Sequence, residues 1–323
     1  MRLFGWFLLI TILAVASGLA QPDADFRLTV CPSSESNPRN SEGDIVVLKD
    51  GSLLLAWTRF QGREDHDTAV IAAKKSTDQG RTWGEDFVLQ ENFARQNVMS
   101  VSLLRIQSDK ILLFFLEKNA DDDLQVWVRA SEDEAKTWNA PQRITQGGGY
   151  HIVNNARVIQ LRSGRILVPI ALTPHISSLG GKQRCFCYYS DDDGVTWHVG
   201  AGDTGTGNTP AMEPGLVQLK DGRVMMIIRT VLDRIYQAYS GDGGLTWSDA
   251  TAMDLVAPAA PATISRVPWT GDLLMVWNNN PLGYKAGWQG RSPLTTALSR
   301  DEGKTWEEVR DIESIPQSGY GYT

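Results

Sequence analysis

The chain has 323 residues, a net charge of −7, 42% apolar residues and 11 tryptophans. The negative balance excludes the basic face with which nucleic-acid binders neutralise phosphates. The apolar and aromatic content excludes a disordered chain.

In chain order, the first element is a targeting segment. Arg2 precedes an apolar run from Leu3 to Ala16, and Gly18-Leu19-Ala20 supplies the small residues of a cleavage site. The run is short for a bilayer span. A cleaved signal over 1–20 is expected, with a secreted or periplasmic product that has no stable membrane insertion after cleavage. Phe26–Val30 (FRLTV) is expected as an edge strand.

From Asp44 on, pairs of apolar strand-like runs flank short turns. They read DIVVLKDGSLLLAW (Asp44–Trp57), SLLRIQSDKILLFFLE (Ser102–Glu117), RVIQLRSGRILVPIAL (Arg157–Leu172) and GLVQLKDGRVMMIIR (Gly215–Arg229). A third strand follows, as in AVIAAKKS and RIYQAYS, and leads into a recurring octad, Ser-x-Asp-x-Gly-x-Thr-Trp. The octad occurs at Ser76–Trp83, Ser190–Trp197, Ser240–Trp247 and Ser299–Trp306, and a fifth copy at Ser131–Trp138 has Ala135 in place of Gly. A fourth strand is expected after each. A repeat of about fifty residues with four antiparallel strands and almost no helical period predicts an all-β fold, a β-propeller of four-stranded blades.

The octads read as structural boxes. Ser and Asp side chains bond the backbone of a tight turn, Gly permits positive φ, and the Trp is expected to be buried. Cys31, Cys185 and Cys187 are too few for a disulfide framework. The latter two, two apart in one strand, read as buried small hydrophobes.

With these five boxes the chain resembles the sialidase (neuraminidase) superfamily, whose Asp-box repeats sit on a six-bladed propeller. The resemblance covers nearly all of residues 21–323. It implies a six-bladed β-propeller; only Ser314–Thr323 follow the fifth unit, so either the sixth blade is incomplete or the chain is truncated there. The ligand site is expected at the central mouth, away from the boxes.

Residue by residue, the resemblance implies three arginines that hold a substrate carboxylate: Arg39, Arg229 and Arg291. Arg39 stands in Pro-Arg-Asn, which meets the family's Arg-Ile-Pro only in part, and Arg27 is its competitor. Arg59 ends the next strand and resembles a further substrate-binding arginine. Asp65 resembles the general acid/base; Asp67 is its rival, and His66 also carries protons. Glu213 and Arg229 lie sixteen residues apart, across one hairpin. Glu213 is implied as the partner of the nucleophile. The nucleophile is implied to be Tyr322, with Tyr320 as the alternative. Gln96, Asn97, His151, Asn155 and Arg157 open neighbouring inner strands and are further candidates to line the mouth.

The chemistry is coherent on its own terms. Three guanidiniums neutralise the anomeric carboxylate of a sialic acid. That carboxylate repels an anionic nucleophile but not a neutral phenol, whose proton Glu213 takes as attack occurs. A tyrosine nucleophile departs from the usual carboxylate pair and implies a retaining course through a glycosyl-tyrosine. The expected partners are sialylated or other acidic glycans. No cofactor or metal is expected: the four histidines are scattered, and the acidic run Asp191–Asp193 lacks the later ligands of a calcium loop. Two other readings remain open, a non-catalytic glycan-binding propeller and a hydrolase or lyase for a different acidic glycan.

Overall fold

The computed structural model describes residues 26–176, 183–207, 209–286, 290–315 and 319–321. The expected signal segment and Tyr322 lie outside them. The chain divides into two units, 1–30 and 31–323. In the first, Phe26–Val30 takes no strand, contrary to expectation. Phe26 and Leu28 are about half exposed, at 52% and 50%, so this short segment buries little apolar area to hold it.

The second unit holds 21 strands among its described residues. β1 (Arg39–Val47), β2 (Leu53–Phe60), β3 (Ala69–Ser76) and β4 (Phe87–Gln90) form the first antiparallel sheet. The second has β5 (Asn97–Arg105), β6 (Ile111–Ala120), β7 (Asp123–Ser131) and β8 (Gln142–Arg143). The third has a split first strand, β9 (Gly149–Ile152) and β10 (Ile159–Gln160), then β11 (Ile166–Thr173), β12 (Arg184–Ser190) and β13 (His198–Val199). A short parallel pairing of β9 with β7, at Asp123–Leu124 and Gly149–Tyr150, joins the second and third into one nine-stranded sheet. The fourth has β14 (Met212–Gln218), β15 (Val224–Arg229), β16 (Arg234–Ser240) and β17 (Thr251–Val256), and the fifth β18 (Thr263–Arg266), β19 (Leu273–Trp277), β20 (Leu294–Ser299) and β21 (Glu307–Glu313).

The expected hairpins are therefore present, each ending on one of the five boxes. Second strands such as β6 (ILLFFLEKNA) and β15 (VMMIIR) are apolar without alternation because both their faces are buried. The outermost strand β21 is exposed along almost its whole length. The first strands of all five units meet around one central cavity of about 520 Å³, lined by Asp44, Leu103, Ile159, Val217 and Thr263 among others. No described residue after Glu313 is in a strand. The described residues thus build five four-stranded units, not six. Among them no helix is long and apolar enough to cross a membrane.

Each box closes the turn between third and fourth strands. In the first, Ser76 Oγ donates to Asp78 Oδ1 (2.8 Å) and accepts from Gly80 N (2.8 Å), while Asp78 accepts from Thr82 N (2.9 Å) and Thr82 Oγ1 (2.6 Å). Boxes also fasten a unit to the one before it. Glu134 of the second box accepts from Lys49 N (2.7 Å), and Glu302 of the fifth from Lys220 N (2.7 Å). Burial of the box tryptophans is less complete than expected. Trp197 is buried, but Trp83, Trp138, Trp247 and Trp306 are partly exposed. Trp197 is covered by Phe114 of the preceding unit, edge to face at 5.8 Å. Cys185 and Cys187 are buried and unbridged, and burial pushes both thiols well up.

Candidate active site

The mouth is built by a repeated interruption of the inner strands. The pairing registers of β1 with β2, β5 with β6 and β14 with β15 each shift, at Ser41/Asp44, Met99/Ser102 and Met212/Gly215. Inside those bulges Glu42, Ser100 and Glu213 have φ of 58°, 58° and 40°. In the third unit the break between β9 and β10 holds Ala156 at φ 54°. Bulges re-aim a side chain out of the strand alternation, and positive φ at non-glycine residues is backbone strain that clusters at functional sites. Gly43 follows Glu42 because a Cβ there would meet Ala56 O at 2.9 Å.

Two acid–base pairs occupy this mouth. Arg39 Nη1 meets Asp65 Oδ1 at 2.5 Å, and its Nη2 meets Glu42 Oε1 at 3.1 Å. Its guanidinium lies over the Phe60 ring, 4.3 Å from the centroid. Arg229 Nη1 meets Glu213 Oε2 at 2.7 Å. Sixteen residues apart in the chain, these two are brought together because Arg229 ends β15 opposite Met212 and the bulge turns Glu213 toward it.

Glu42 couples the pairs. It accepts from Ser100 Oγ at 3.0 Å, and it lies within electrostatic reach of Arg39, Asp65 and Glu213. Burial pushes its carboxyl up to about 7, against the opposing pull of Arg39. Arg157 is fully buried nearby, feels Glu213 and Asp44, and is driven down to about 10 by desolvation. The Asp65 loop is held from behind. Asn97 Nδ2 donates to the carbonyls of Asp65 (2.9 Å) and Asp67 (2.8 Å), and Lys118 Nζ to that of Asp65 (3.2 Å). Asp67 is occupied within the loop, accepting from Glu64 N at 2.8 Å, and His66 is exposed.

Residues 51–323 match the BNR repeat-like domain family. The chain belongs to that family, within the sialidase/BNR superfamily. It is 28% identical over 299 residues to a sialidase of Micromonospora viridifaciens, covering 81% of this chain and 44% of that protein. The chain spans about half the length of the curated relatives it matches, 44%, 55% and 47% for the first three. Among solved structures, a protein of unknown function from Dyadobacter fermentans aligns at TM-score 0.73 and 19% identity, over 91% of this chain and 87% of that one. A Hadza microbial sialidase aligns at TM-score 0.72 and 17% identity, over 87% and 60%. These two establish likeness of fold.

The remaining BNR-domain candidates lie as follows. Arg59 turns to Asp86, at 2.5 Å, in the segment leading to outer strand β4. Arg291 is buried. Its carbonyl accepts from Asn278 Nδ2 (2.9 Å) and Tyr320 N (2.7 Å), and Gly321 packs against its guanidinium. The Tyr320 hydroxyl accepts from Ile315 N at 3.1 Å. Asn155 Nδ2 donates to Gly43 O (2.9 Å), directly behind Glu42. His151 is buried, its Nδ1 3.2 Å from the carbonyls of Leu124 and Gly149, and desolvation lowers its pKa. Arg27 belongs to the other unit.

Three participants escaped the sequence reading: Glu42, Ser100 and Lys118. Lys118 stands in the polar stretch Glu117–Asn119 that follows the apolar run Ile111–Leu116 of β6, and nothing in the sequence marks it among them. Glu42 gave a fainter signal, an acidic residue three after Arg39 just before strand alternation begins.

Proposed function

We propose that the chain is an exo-sialidase-like glycoside hydrolase that removes terminal sialic (2-keto acid) sugars from glycans by a retaining mechanism. The observation that carries this reading is the meeting of Arg39–Asp65 and Arg229–Glu213 in one mouth, coupled through Glu42. The named sialidase relative supports the same class.

In the proposed reaction the substrate carboxylate is held by Arg39, Arg229 and Arg291. It takes over part of Arg39 from Asp65; the exposed Asp65, released from that pair, takes a proton from solvent and gives it to the leaving glycosidic oxygen. Tyr322 attacks the anomeric carbon as Glu213 accepts the phenolic proton. Water next cleaves the glycosyl-tyrosine, with Asp65 as base, and Tyr322 recovers its proton from Glu213. The local engagement of the Tyr320 hydroxyl with Ile315 N favours Tyr322 as the nucleophile. Arg59 is a further substrate-binding arginine of this reading, which it can become by leaving Asp86. A ring closed by a sixth blade and an export signal over 1–20 are parts of the same proposal.

Turnover of a fluorogenic sialoside tests the reaction, and a 3-fluoro sialosyl fluoride tests the nucleophile. The label is expected at Tyr322. Tyr322→Phe should abolish labelling while leaving analogue binding nearly intact. Full activity in a Tyr320/Tyr322 double Phe variant would remove both tyrosines from the mechanism.

A further inference from the structure

We propose that Glu42 is a proton-controlled gate on Arg39: ionised, it keeps the guanidinium from an acidic sugar, and protonated, it releases it. The inference rests on the sialidase-like reading and deepens it by adding a positioning residue for substrate binding.

The geometry is specific about what can move. A carboxylate ligand engages a guanidinium through two parallel N–H groups. On Arg39 the Nε edge is committed to Ser41 Oγ at 3.1 Å, and Phe60 covers one face. The other edge holds Asp65 on Nη1 and Glu42 on Nη2. These two occupants differ. The Asp65 side chain is 59% exposed on a loop and can swing away when a ligand arrives. The Glu42 side chain is 2% exposed, and its backbone is fixed in a bulge at φ 58°, with no room behind it at Gly43. Glu42 therefore cannot leave; it can only lose its charge.

The surrounding charges set the balance. Glu42 faces Arg39 on its own strand, Asp65 on the β2–β3 loop, Ser100 on β5, Lys118 on β6 and Glu213 on β14. With Glu42 ionised, three carboxylates confront any incoming anion. Protonated Glu42 can keep both neighbours, accepting from Arg39 through its carbonyl oxygen and donating its own proton to Ser100 Oγ. Arg39 then carries an unbalanced positive charge toward the ligand. Burial places the exchange near pH 7.

The test is binding of the unsaturated analogue 2-deoxy-2,3-dehydro-N-acetylneuraminic acid to the full chain by calorimetry from pH 5.5 to 8.5. His66, next to Asp65, is replaced by Gln throughout. Affinity is expected to fall about tenfold between pH 6 and pH 8, following the loss of one proton. Glu42→Gln, neutral at every pH, should flatten that profile and bind at pH 8 as tightly as the parent binds at pH 6. Ser100→Ala removes a donor to the ionised form, so its midpoint should move to higher pH. An unchanged pH profile in Glu42→Gln, with binding intact, overturns the gate and leaves the sialidase-like reading standing. No binding by parent and Glu42→Gln at any pH overturns both. A downward midpoint shift in Ser100→Ala also overturns the gate.

Discussion

The two ends of each unit use the same residue types for opposite purposes. At the boxes, Asp78, Asp133 and Asp301 are partly exposed carboxylates held down at about 2 by hydrogen bonds from box threonines and nearby backbone. At the mouth and the cavity beside it, the buried Glu42 and the half-buried Asp44 are carboxyls pushed up to about 7 by desolvation. Both ends also use left-handed backbone, as at Gln79–Gly80 in a box and at Glu42 or Glu213 in the mouth. The difference is in who satisfies the acid. A box aspartate is satisfied within eight residues, so the whole arrangement repeats as a sequence. A mouth carboxylate is satisfied over longer stretches of chain, Glu42 in part by Ser100 of the next unit and Glu213 by Arg229 across a hairpin, so it leaves no octad that repeats.

The largest expected effect separates the ends by ligand binding. Arg229→Ala removes the mouth cation paired with Glu213. It should weaken binding of the sialic-acid analogue by about 2–4 kcal/mol, the range for losing a charge-assisted pair and stranding its partner. Arg165→Ala removes a box-end cation paired with Asp191 at 2.7 Å and stacked 4.5 Å over Tyr189. It should leave binding unchanged. Equal losses in the two variants, read by calorimetry, would mean that the mouth is not the anion site.

Next in size is a packing change at a box. Gly244 has φ 87°, and a Cβ there would lie 2.8 Å from two methyl carbons of Leu167 in the preceding unit. Gly244→Ala should cost about 2–4 kcal/mol, from the left-handed strain of one residue plus overpacking. Urea denaturation measures it. A loss below 1 kcal/mol would show that neighbouring units are not rigidly fastened there.

This contrast explains what was legible in the sequence. The boxes and the hairpins before them carry their causes locally: an apolar run, a turn, a Ser and an Asp at fixed spacing. The five-unit order follows from them. The Glu213–Arg229 pair was legible because a hairpin joins its members. Lys118 was not, because its partner Asp65 lies in a distant segment; Glu42 was only faintly so, because Ser100 and Glu213 are distant too and the bulge that turns it inward leaves only Gly43 as its mark. Arg59 shows the converse: its place in the chain resembles a mouth arginine, yet its side chain pairs with Asp86. The repeat also suggested fuller burial of the tryptophans than the structure has, because the ring that covers Trp197, Phe114, comes from another unit.

Smaller effects divide the ends by pH. At Asp242 burial acts upward, but bonds from Thr246, Ser240 and Leu245 N prevail and hold it at about 2. A lowered carboxylate adds stability above its ordinary value near 3.8 and loses it as pH falls toward 2. Asp242→Asn should therefore cost about 1 kcal/mol at pH 6, and the difference should vanish near pH 2. Glu42 has the opposite sign. Its raised value means that ionisation opposes folding, so its cost grows as pH rises from about 4.5 to about 7 and is complete above that. Glu42→Gln should be more stable than the parent at pH 8 and indistinguishable from it at pH 4. Thermal unfolding across this range checks both, and parallel pH curves for the two variants would erase the distinction between the ends.

The smallest effect concerns the one box that departs from its own pattern. Ala135 stands where the other boxes have glycine, with φ 61°. A left-handed alanine costs about 1–2 kcal/mol, which Ala135→Gly would relieve. Glycine, however, adds roughly 0.4–1 kcal/mol of unfolded-state entropy. It also removes a methyl, worth about 0.8 kcal/mol, that is buried among Val46, Leu48 and Leu54 of the first unit. These terms nearly cancel, so Ala135→Gly should change stability by less than about 0.5 kcal/mol. The site tolerates alanine because the neighbouring unit leaves space for a methyl, whereas Leu167 fills that space at Gly244. A gain above 1 kcal/mol on Ala135→Gly would show that backbone strain outweighs the contact with the first unit, and the box would then be a weak joint between the first two units.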